Sequence, residues 1–149
     1  MSDDNSQVPT FDPSTFSNDS YVQRNEKPWG YELHFAQKDL PYMIKLMHVN
    51  AGTRQSLQVH DEKQETYVLI NGRAGVEWEN SAGEMIKTDF EPYVGYHTII
   101  GQKRRIDAIT DCDIMEGSTP EAGTTWRLED DFARPDETPE QRRIERGEA

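Results

Sequence analysis

From residue 42 onward, short β-prone runs recur about every ten residues and are punctuated by Gly, Asn and Pro. "YMIKLMHVN", "SLQVH", "ETYVLI", "GVEWEN", "EMIKT", "YHTII", "RRIDAIT" and "CDIMEGS" read as strands, and "AGTRQ", "NGRAG" and "SAG" as the turns between them. Many short strands with Gly-rich turns fit an all-β sandwich or barrel. Within "NGRAG", Asn71-Gly72 is a favourable hairpin pair.

The ends of the chain differ from this middle. Residues 1–23 are rich in Ser, Asp, Asn and Pro and read as a flexible tail, in which Phe11 and Phe16 are the residues able to dock on a partner subunit. A domain over 24–135 follows, and 136–149 form a polar tail or short helix. Thr138 suits an N-cap, Pro139 the first helical position and Gly147 the stop, with Ile144 as the one apolar anchor. Such a helix is expected to fray or pack weakly.

Composition narrows the function. At 149 residues the chain suits one domain plus tails, and its 34% apolar content is below the ~45–50% usual for globular domains. A formal charge of −12 disfavours nucleic acid and anionic membranes. One cysteine, Cys112, allows neither an internal disulfide nor a cysteine-based zinc site. No apolar run nears the ~18 residues of a membrane span, and no signal peptide is visible, so a cytoplasmic protein is the expectation.

The densest chemistry lies in "SLQVHDEKQETYVLING". Along a strand, Arg54, Ser56, Gln58 and His60 share one face, while Glu65, Tyr67 and Leu69 share a face of the next. A hairpin between the two would set Glu65 beside Gln58 and His60. An imidazole, a carboxylate and an amide oxygen suit a divalent metal such as Zn, Mn, Fe or Ni.

The spacing here resembles the first motif of the cupins. Gly52, five residues, Gln58, Val59, His60, four residues, Glu65, six residues and Gly72 follow that pattern, with Gln in the first His slot. "KPWGYE", "SLQ", "STPE" and "RLEDDFAR" are similar to small cupins like the C-terminal domain of type II mannose-6-phosphate isomerases. The resemblance implies a cupin double-stranded β-helix, a jelly-roll barrel, and metal ligands at Gln58, His60 and Glu65. The second motif departs from the family: "YHTIIGQKRR" keeps Gly101, but Ile99 and Ile100 replace the usual prolines and Arg104 stands where the last ligand His is expected. Arginine stays protonated and offers no lone pair.

Three readings follow: a weak three-ligand metal site, rescue of the missing ligand by His97, or no metal, with Arg104 paired to Glu65 or holding an anion. The third is favoured. Lys45, buried in a strand, needs a partner and is a candidate for anion binding or proton transfer. Lys45, His60 and His97 are the catalytic candidates, and Arg54, Tyr67 and Arg104 the substrate-binding ones. His48 reads as a satisfied structural histidine, and Trp29, Trp78 and Trp126 as core or interface residues. The family implies binding or isomerisation of a carbohydrate-type small molecule, a sugar phosphate, by a homodimer. The alternatives are non-catalytic binding and a metal-independent epimerase or lyase.

Overall fold

The structure, a computed structural model, describes residues 7–15 and 17–148. Phe16 lies outside the described residues, and Phe11 is 68% exposed. No described helix is long and apolar enough to cross a membrane.

Among the described residues, eleven strands precede one short helix. They are β1 (Gln23–Lys27), β2 (Gly30–His34), β3 (Met43–Val49), β4 (Leu57–His60), β5 (Glu65–Asn71), β6 (Ala74–Glu79), β7 (Met85–Asp89), β8 (Gly95–Thr98), β9 (Arg104–Ala108), β10 (Cys112–Ser118) and β11 (Thr125–Glu129), then α1 (Pro139–Glu145). They form two antiparallel sheets, ordered β1-β2-β3-β10-β5-β8 and β11-β4-β9-β6-β7. This is the cupin jelly roll, an all-β fold.

Strand alternation gives the interior two layers. Met47 and Val49 on β3, Leu69 on β5, Ile106 and Ala108 on β9, and Cys112 and Ile114 on β10 form the apolar layer, closed by Trp29 and Phe90. The same strands turn charged side chains inward toward one end: Lys45, Glu65, Arg104 and Glu116 are each at most 4% exposed. Register enforces the layering, since Glu116 opposes Lys45, Ile114 opposes Met47 and Cys112 opposes Val49.

Four expectations need correction. β4 and β5 do not form a hairpin; they lie in different sheets and face each other across the interior. Asn71-Gly72 likewise turns a corner between sheets. Gly72 has φ +79°, and a Cβ there would meet Asp111 O at 2.2 Å, so the corner requires glycine. The strand read from Arg54 begins only at Leu57, so alternation does not carry Arg54 inward. Finally, α1 is not anchored by Ile144, which is 51% exposed. Arg142 secures it, donating to Glu137 Oε1 (3.0 Å) and Gly123 O (3.1 Å), and Glu145 accepts from Arg127 (2.9 Å). The Thr138 cap is present, its hydroxyl accepting from Gln141 N at 3.1 Å.

Candidate functional site

His60 ends β4 and Glu65 begins β5, so the two sheets bring them together from opposite walls, 3.2 Å apart. Arg104 enters from the first position of β9, opposite Gln58 in register. Its Nε donates to Glu65 Oε1 at 2.7 Å and its Nη2 lies 2.9 Å from His60 Nε2. A guanidinium can only donate, so Nε2 accepts and the Nδ1–H of His60 donates to Thr125 Oγ1, 2.8 Å away. Thr98 Oγ1 adds a 3.3 Å bond to Glu65 Oε1.

This trio is one end of a larger network. Lys63 lies 3.3 Å from Glu65 and 3.0 Å from Glu116, and Lys45 lies 3.1 Å from Glu32, 3.5 Å from Glu116 and 2.7 Å from Glu121. His34 Nε2 sits 2.7 Å from Glu32, and Arg146 pairs with Glu121. Buried charges need such partners, because an isolated ion in a protein interior costs several kcal/mol.

The network fixes protonation. Burial would raise the Glu65 carboxyl, but Arg104 and Lys63 outweigh it and hold Glu65 well below the usual carboxylate range. Burial opposes the Lys45 ammonium, yet Glu116, Glu121 and Glu32 keep its pKa well above normal. Its neighbours thus favour the ammonium form of Lys45. Burial drives His60 down to about 4 against the upward pull of the Glu65 carboxylate, with Arg104 adding to the lowering, so His60 is neutral at pH 7. Burial pushes Glu116 up to about 7 against the pull of Lys45 and Lys63.

Of the sequence candidates, Gln58, His60, Glu65, Tyr67, Lys45 and Arg104 gather in the interior. The Arg104 guanidinium lies 5.2 Å from the centre of the Tyr67 ring. Two candidates lie elsewhere. Arg54 holds Asp131 through two bonds of 2.6 and 2.8 Å with its side chain 41% exposed. His97 opposes Thr66 and is exposed. Thr98 beside it turns inward to Glu65, so alternation directs His97 outward, away from His60. His48 is satisfied by Asp113 at 2.7 Å and stacks on Tyr31. Trp29 is core, while Trp126 is 40% exposed on β11.

Sequence reading missed Glu32, Lys63, Glu116 and Glu121. Alternation in "CDIMEGS" carries the signal for Glu116, which shares a face with Cys112 and Ile114. Lys63 sits in the charged run "DEKQE", where nothing local separates a buried lysine from a solvated one.

The space left among these side chains is about 50 Å³, room for a few waters. A groove of about 680 Å³ opens beside β8 and the end of β6, lined by Tyr67, Trp78, Asn80, Tyr96, His97 and Gln102 among others. Among the described residues no Lys or Arg lines it.

A family model described as mannose-6-phosphate isomerase C-terminal matches residues 16–107. The chain belongs to this family. No curated protein matches it. Among solved structures, this member of the mannose-6-phosphate isomerase C-terminal family is similar to the capsular polysaccharide assembling protein CapF from Staphylococcus aureus, at 16% identity and TM-score 0.57 over 83% of this chain and 33% of that one. A mutant of Bacillus subtilis oxalate decarboxylase OxdC matches at 18% identity and TM-score 0.65, over 76% of this chain and 33% of its own. The oxalate decarboxylase of Lactobacillus farciminis, in a formate complex, matches at 18% and 0.64, over 76% and 37%. The chain thus spans about a third of each neighbour, and the likeness shows the shared fold. Mn(II) centres are described for the Bacillus subtilis oxalate decarboxylase.

A metal at Gln58, His60 and Glu65 does not fit this donor set. The Arg104 guanidinium already binds His60 Nε2 and Glu65 Oε1, the atoms an ion would take, and adds a repelling charge. Glu32, His34 and Glu121 form a second trio, with ligand atoms within 4.8 Å of one another. There Lys45 and Arg146 already hold the carboxylates.

Proposed function

We propose that this chain is a metal-independent cupin module that binds a carbohydrate-type small molecule without isomerising it, and that it works as a homodimer. The observation that carries this is Arg104, whose guanidinium binds both His60 and Glu65, two of the side chains that would hold a metal. Inside the barrel no base is free for turnover: His60 has its lone pair covered by Arg104, and Lys45 is held as an ammonium, while His97 lines the outer groove instead. The interior space of about 50 Å³ is far below the ~300–1,000 Å³ of ligand pockets. The groove falls within that range, its aromatic lining of Trp78 and Tyr96 suits the apolar face of a sugar ring, and the Asn80 amide nitrogen can donate to a hydroxyl. With no Lys or Arg among the described residues that line it, the groove favours a neutral sugar over its phosphate.

Elemental mass spectrometry of the untagged protein tests the reading. The wild type is expected to carry no stoichiometric transition metal after exposure to Mn, Zn, Fe or Ni, and Arg104→His to retain one of them. A tightly held equivalent in the wild type would sink the metal-independent reading. Catalysed exchange between an aldose and its ketose would sink the claim of no turnover.

A further inference from the structure

On a chain of formal charge −12, one surface recess is basic. It encloses about 240 Å³ between β2, the connection that follows it, Pro120 and α1. Lys38, Arg143 and Arg146 line it, and Tyr21 and Tyr42 supply apolar wall. Arg143 and Arg146, three residues apart at the end of α1, fall on one side of the helix.

Two carboxylates of the chain quench part of this charge. Glu148 takes Lys38, and Glu121 takes Nη2 of Arg146. Two groups stay unmatched. The exposed Arg143 guanidinium has no hydrogen-bond or ion-pair partner among the described residues. The Nε–H of Arg146 is buried without an acceptor, on a side chain only 9% exposed. Buried donors are nearly always satisfied, so an orphaned one beside an open recess marks a place where an acceptor belongs.

Guanidinium groups match phosphate in geometry and charge, and a dianion answers two arginines where a carboxylate answers one. We propose that the recess is a binding site for a small phosphate monoester. Its phosphoryl oxygens accept from Arg143 and, as Arg146 turns away from Glu121 and uncovers its Nε, from that guanidinium, and its organic part lies along Tyr21 and Tyr42. A ligand there also competes with Glu121 for Arg146, and Glu121 reaches Lys45 in the interior. The recess shares no residue with the groove, so this site goes beyond the neutral-sugar reading and does not depend on it.

The test is calorimetric titration of the full-length chain at low salt with inorganic phosphate, glycerol 3-phosphate and acetate. Saturable binding of both phosphates, weakened by added salt and absent for acetate, is expected. Arg143→Ala should lower phosphate affinity about tenfold, the scale of one charge-assisted contact, with an unchanged melting midpoint. Arg54→Ala removes an equal charge outside the recess and should leave affinity unaltered. The site is overturned by an absence of saturable phosphate binding, by equal binding of acetate, or by equal losses in the two variants. Metal analysis of Arg104→His bears only on the barrel, so the two proposals fail separately.

Discussion

At the scale of single residues, His60 and Glu116 make opposite claims on stability. His60 titrates at about 4 in the folded chain against 6.5 for an ordinary histidine. Between those values the unfolded chain holds a proton that the native one lacks, so this residue stabilises fully above pH 6.5 and loses that contribution as pH falls toward 4. Glu116 is raised from 4.5 to about 7, so the native chain holds the extra proton and stability from this residue falls as pH rises through that window. Each slope approaches about 1.4 kcal/mol per pH unit. Glu32, Glu65 and Glu121 are held below 4.5 and act only under the shared window. Urea unfolding of the wild type should therefore vary little between pH 4.5 and 6.5. His60→Gln should lose stability with rising pH over that span, by roughly 2–3 kcal/mol relative to wild type. A variant profile parallel to the wild type would refute the assignment. The sequence exposed one side of this arrangement, because motif spacing set Glu65, His60 and Arg104 together. It hid Glu121, whose burial depends on lysines distant in the chain, while the signal for Glu116 lay in the alternation of β10.

At the scale of elements, strands were legible where apolar periodicity is strong and their pairing was not. β4 and β5 are adjacent in sequence, and a four-residue connection invites a hairpin; the jelly roll instead sends them to opposite sheets. That crossing still brings His60 to Glu65, so the site was readable although the route to it was not. α1 shows the reverse case. Its cap and stop were visible in Thr138 and Gly147, but apolar pattern could not reveal a helix held by arginines. Arg142→Ala would leave Glu137 Oε1 and Gly123 O without their donor and should cost about 1–3 kcal/mol. Ile144→Ala, at a side chain half in solvent, should stay within about 0.5 kcal/mol. Equal losses in thermal unfolding would show that packing, not charge, docks the helix.

At the scale of the whole molecule, apolar surface and net charge oppose each other in assembly. Tyr93 is 74% exposed, Val94 40%, Ile99 56% and Ile100 48%, all flanking β8, the free edge of the six-stranded sheet. An open edge strand bordered by apolar side chains is a surface that natural proteins cover or disrupt. A second copy meeting it would also roof the groove, which β8 borders, and so enclose a ligand there more fully. Against this stands repulsion between two chains of charge −12. That repulsion acts through solvent, where the Debye length is about 8 Å at physiological salt, whereas apolar burial is not screened. Light scattering at micromolar concentration should therefore give twice the 17.2 kDa chain mass, with dissociation on dilution at low salt and recovery as salt is added. Ile100→Lys should shift the equilibrium to monomer without altering the fold, because that side chain is half exposed in the single chain. A monomer mass for the wild type at high salt would remove the homodimer, and a dimer weakened by salt would show that ion pairs rather than apolar contacts join the copies.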